Sequence, residues 1–98
     1  MKNTDQLQIP DTIKGDSKAF EVLRVWIAHQ GQHISLRAGV WEDPAAWGIM
    51  LSDLAKHITN SYHQEFGLDR QKTLDRIKAA MDAEFASSTD RSKQNNLQ

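Results

Sequence analysis

Apolar positions along this chain follow two different periods. From Phe20 to Ala28 they alternate, and from Gln32 to Ala38 they alternate again. Period two marks half-buried strands. Between the two runs lies His29-Gln30-Gly31-Gln32, with glycine at a turn position, so together they read as a β-hairpin. The pattern favours a register in which Ile27 faces Ile34, Val25 faces Leu36 and Leu23 faces Ala38. One face then carries all six apolar side chains, which a slip of one residue would scatter over both faces. A looser loop is compatible with the same pairing.

After the hairpin the period changes. Trp47, Leu51, Leu54, Ile58 and Tyr62 recur at the spacing of one helix face. Asp43-Pro44 supplies an N-cap followed by a first-turn proline, and Gly67 supplies a stop in the left-handed region. A second helix starts at Asp69 as N-cap, with Leu74, Ile77, Met81 and Phe85 as its stripe. Its other positions alternate in charge, the pattern of a solvated face. The fold class expected is α+β: a single small domain in which a β-hairpin is followed by two antiparallel helices (ββαα). The apolar hairpin face is expected to lie buried beneath both helix stripes.

The ends read as additions to this unit. Residues 1–16 form an N-terminal arm punctuated by Pro10 and Gly15, residues 17–86 the ββαα domain, and residues 87–98 a polar, disordered C-terminal tail. A two-stranded sheet is marginal even with one face covered. A short third strand from the arm, or a sheet shared across a dimer, would remedy that.

Composition then narrows the function. The chain has 98 residues and no cysteine, which removes disulfides and thiolate chemistry. A net charge of −1 provides no long-range field for nucleic acid. The first residues lack the apolar run of a signal peptide, and no stretch approaches the roughly 20 apolar residues of a membrane span. The expected location is cytoplasmic.

Candidate chemistry is sparse. On the face of the hairpin away from the apolar stripe lie Arg24, Trp26, His33 and Arg37. The expected register sets Arg24 directly opposite Arg37, an unfavourable pairing of like charges unless an anion or a carboxylate lies between them. These four residues are the candidate binding surface; the plainer reading is that the two arginines are solvated or paired internally, with Glu21 or Glu42 as partner. His57 follows Asp53 by one helical turn and is the best-placed general base, yet no nucleophile accompanies it by spacing. His29 and His33 flank the hairpin turn without an evident third ligand. No catalytic residue, metal or cofactor is assigned.

The stretches EVLRVWIA and QHISLRAGVWEDPAAWGIMLSDLAKHI resemble a family of short, uncharacterised proteobacterial proteins catalogued as a domain of unknown function. The resemblance covers about residues 18–62 and weakens through the second helix. It implies a small stand-alone bacterial protein, and it carries over no activity and no site residue. The reading that remains is a non-enzymatic protein-interaction module, with an unidentified protein or a second copy as partner. Anion or nucleic-acid binding through the outer hairpin face is the alternative. An enzyme using His57 is the weaker one.

Overall fold

The structure is a computed structural model and describes residues 5–87. Its elements are β1 (Leu23–Ala28), β2 (Gly31–Leu36), α1 (Ala45–Phe66) and α2 (Arg70–Ala86), with short 3-10 turns at Asp11–Ile13 and Ala38–Val40. The order is ββαα and the class α+β, as the sequence predicts. The chain divides into two compact units, one ending at Glu42 and the other beginning at Asp43.

In the first unit, β1 and β2 form an antiparallel two-stranded sheet; the described part of the arm adds no strand to it. The register corrects the one expected. Leu23 faces Leu36, Arg24 faces Ser35, Val25 faces Ile34, Trp26 faces His33, Ile27 faces Gln32, and Ala28 faces Gly31. The displacement is two residues. Such a slip leaves every side chain on its own face, so the apolar pattern cannot detect it. The turn decides instead. His29 and Gln30 are its central residues, with φ of 50° and 66°. Two successive positive φ values characterise the type I′ turn, whose twist matches that of the flanking strands. Gly31 is not at the centre of the turn but in the closing pair.

The apolar hairpin face therefore holds Leu23, Val25, Ile27, Ile34 and Leu36, with Gln32 in place of a sixth apolar side chain. On the hairpin itself this face is open. Ile27 is 73% exposed, Ile34 55% and Leu36 53%.

In the second unit, α1 is fixed at both ends by local chemistry. The Asp43 carboxylate accepts from the Ala45 N–H at 2.9 Å, so Asp43 caps the first turn from just outside Pro44. Gly67, at φ 73°, closes the helix. Its N–H donates to His63 O at 3.0 Å, the bond of an αL ending, and the Leu68 N–H donates to Tyr62 O at 3.5 Å. Asp69 then caps α2, accepting from the Lys72 N–H at 2.9 Å.

The two helices pack along a seam of small, polar and aliphatic side chains. Thr59 is buried, and Ala55, His63, Thr73, Leu74 and Ile77 are half-buried. The His63 Nδ1–H donates to Leu68 O at 2.9 Å, and the Arg70 Nε–H donates to Asn60 Oδ1 at 3.2 Å, tying the connection to both helices. The stripe expected to make the core lies elsewhere on α1: Leu51, Leu54 and Ile58 are each more than two-fifths exposed. Among the described residues no hydrophobic side chain is buried.

Thr59 yields a stability prediction. Its Oγ1 is buried without a hydrogen-bond partner. An unpaired buried hydroxyl costs more than a methyl group of the same shape. Thr59→Val is expected to stabilise the protein by about 1 kcal/mol. Denaturant midpoints of both forms at one protein concentration check this; a lower midpoint for the variant would mean the hydroxyl is satisfied.

Candidate interaction surface

The outer hairpin face is built by the alternation of β1 and β2. Arg24 and Trp26 project from one strand, and His33 and Ser35 from the other, in directly facing pairs. Arg37 continues the ladder just beyond β2, its N–H donating to Val22 O at 3.0 Å. The four predicted binding residues thus share one face, but Arg24 does not oppose Arg37. The like-charge conflict expected from the sequence does not arise.

Both arginines bond to Glu21. Arg24 makes a two-pronged contact with Glu21: Nε donates to Oε2 at 3.1 Å, and a terminal nitrogen donates to Oε1 at 2.5 Å. This hydrogen bond holds the Glu21 carboxyl below the usual carboxylate range, helped by the positive charges of Arg24 and Arg37, while Glu21 raises Arg24. The Arg37 Nε–H donates to the Glu21 carbonyl at 2.7 Å, and its guanidinium lies over the Phe20 ring, 5.6 Å from the centroid. Glu21 thereby anchors both arginines, one through its side chain and one through its backbone. Glu21 is one of the two carboxylates expected from the sequence as a partner for the arginines; its backbone hold on Arg37 had no side-chain signal. An open cleft of about 300 Å³ results, lined by Glu21, Leu23, Arg24, Ser35, Leu36 and Arg37 among others.

A pH dependence follows from the sign of the Glu21 shift. A carboxyl lowered in the folded state contributes stability above its unfolded pKa and loses it as the pH falls through the folded value. Glu21 is exposed and solvent screens the pair, so the effect is small and salt-sensitive. Glu21→Gln is expected to flatten the acid limb of the stability profile slightly. A limb of unchanged slope would show that the pair contributes nothing.

The histidines are separate. The His33 Nε2–H donates to Ala28 O at 3.0 Å, and His29 meets the His33 ring edge to face at 6.1 Å. His57 and Asp53 are both exposed, with no hydrogen bond between them. Among the described residues no three potential ligands cluster to hold a metal ion. No helix there is long and apolar enough to cross a membrane.

The larger surface is apolar, and the sequence pattern had assigned it to a core. On the first unit it comprises Val25, Ile27, Ile34 and Leu36. On the second it runs along α1 through Leu51, Leu54, Ile58, Tyr62 and Phe66, with the rings of Tyr62 and Phe66 5.7 Å apart. The sequence signal for both was plain; their exposure was not.

Comparison with known proteins gives a family and no activity. A search of curated proteins returned no match. Among solved structures, the chain is similar to "Structure of a putative pyruvate dehydrogenase from the photosynthetic bacterium Rhodopseudomonas palustrus CGA009". The two share 33% identity and a TM-score of 0.70, over 87% of this chain and 86% of that one. The family model described as Domain of unknown function (DUF5076) matches residues 6–89, and the chain belongs to that family.

Proposed function

We propose that this chain is a small non-enzymatic interaction module whose partner is a second copy of itself. One observation carries the reading: no hydrophobic side chain among the described residues is buried, in a chain whose composition is 39% hydrophobic. A domain of this size depends on its core for stability, and in each of the two units the apolar surface is left on the outside.

Taken unit by unit, the exposed parts of the four hairpin side chains named above amount to on the order of 400 Å², and those of the five α1 side chains to on the order of 500 Å². Both surfaces are poor in charge, as interface centres are.

Sedimentation equilibrium tests the reading. A mass of two or more chains at micromolar concentration is expected, falling towards 11.1 kDa on dilution. The unfolding midpoint should rise with protein concentration, because association stabilises only the folded form. A single-chain mass throughout would end the proposal.

The cleft beside Arg37 favours a second reading, binding of a small anion. Arg24 is already paired with Glu21, which leaves Arg37 as the cation to meet it. Titration with inorganic phosphate and with acetate, against Arg37→Ala, tests it. The dehydrogenase named for the Rhodopseudomonas chain is a statement about that protein. An enzyme here would rest on His57, which is exposed and, among the described residues, forms no hydrogen bond with Asp53.

A further inference from the structure

Two strands alone have two open edges, and the register shows what each edge presents. In an antiparallel ladder, bonded and non-bonded pairs alternate. The Arg37 N–H donates to Val22 O, so Arg24–Ser35, Trp26–His33 and Ala28–Gly31 are the other bonded pairs. The N–H and C=O groups of Leu23, Val25 and Ile27 therefore point away from the ladder along the outer side of β1. Those of Gln32, Ile34 and Leu36 point away along the outer side of β2.

The two edges differ in charge. Beside the β1 edge stands the Glu21–Arg24 ion pair, and charged side chains are a common means of blocking edge pairing. From Gly31 to Leu36, β2 carries no Asp, Glu, Lys, Arg or proline. An uncharged open edge is a template for another strand.

We propose that two copies join β2 to β2 about a twofold axis through Ile34, making one four-stranded antiparallel sheet. The inference rests on the self-association proposed above and names its contact. The pairing is self-complementary: Ile34 meets Ile34 of the second copy, Gln32 meets its Leu36, and His33 meets its Ser35. Arg37 falls opposite Gly31 of the other copy, so no like charges face each other. A four-stranded sheet with one apolar face has the independent stability that a hairpin lacks. Pairing also joins the two apolar hairpin faces into one surface, which extends the area counted above across the twofold axis.

Residue-resolved amide hydrogen exchange on the full chain tests this, at a concentration where sedimentation gives a two-chain mass. The Gln32, Ile34 and Leu36 amides, which have no acceptor within the hairpin, should be protected by at least about a hundredfold. The Leu23, Val25 and Ile27 amides should exchange freely. Protection on the β1 edge instead, or on neither edge, overturns the proposal and leaves self-association standing; a single-chain mass removes both. Ile34→Pro deletes an N–H that the hairpin ladder does not use and should give a single-chain mass. Val25→Pro deletes the corresponding N–H on β1 and should keep the two-chain mass. The reverse outcome for this pair also overturns the proposal, and if either variant fails to fold, the exchange pattern of the unaltered protein decides.

Discussion

Leu54→Glu is expected to give a single-chain mass at concentrations where the unaltered protein associates. Leu54 sits mid-stripe on α1 and is 42% exposed within one chain. A glutamate there meets water in the separate chain, and its helix propensity is close to that of leucine. In the associated form the same carboxylate must shed its water against Leu51 and Ile58, with no partner to compensate. The dissociation constant should rise at least about a hundredfold, or roughly 2.7 kcal/mol. Lys56→Ala, on the polar side of the same helix, should change little. Sedimentation of the three proteins, with far-ultraviolet circular dichroism to compare their helix content, makes the measurement. An unchanged mass for Leu54→Glu would take the α1 stripe out of the interface.

The turn substitution should have the opposite sign. His29 and Gln30 both hold positive φ, a region that costs an ordinary residue roughly 1–2 kcal/mol. Asparagine followed by glycine is the pair that best tolerates those two positions in a type I′ turn. Changing His29 to Asn together with Gln30 to Gly should therefore stabilise the hairpin by about 1–2 kcal/mol, less what glycine forfeits in unfolded-state entropy. The variant loses the contact between His29 and His33, which is exposed and worth little. Denaturant midpoints at matched protein concentration check the gain. A loss of stability would mean that the imidazole pair, not the backbone, governs the turn.

Elements and caps were legible because each is encoded locally. Asp69, Gly67 and Asp43-Pro44 act within one turn of their own position, and each acts in the structure as its residue type predicts. The register was less legible. Pairing by apolar coincidence preferred Ile27 with Ile34 and put glycine at the centre of the turn. The protein places non-glycine residues there and accepts the strain. That error carried into the candidate site, since the facing of Arg24 and Arg37 was a consequence of the register. Pairing of the arginines with Glu21 was legible as one of two carboxylate options, but its hold on Arg37 was hidden: that needs a backbone carbonyl, which no pattern of side chains reveals. Periodicity identified the apolar faces correctly, because burial potential is a property of the sequence. Whether the same chain or another covers them is not encoded in the period.

The connection Gly67-Leu68-Asp69 and the two-residue turn at His29-Gln30 have a consequence for how the protein forms. Both join neighbours in sequence, so α1 with α2, and β1 with β2, need close only short loops. Hairpins and helices of this length form in microseconds. Under the proposed self-association, the meeting of two copies is a diffusional encounter whose rate depends on concentration. Refolding should therefore separate into a fast phase independent of dilution and a slower one that scales with it. Between the two phases lies an interval in which apolar faces are formed but unmatched. A newly made copy would pass through that interval most slowly when its fellows are scarce, and the abundance of the chain would then set how long it stays exposed to aggregation.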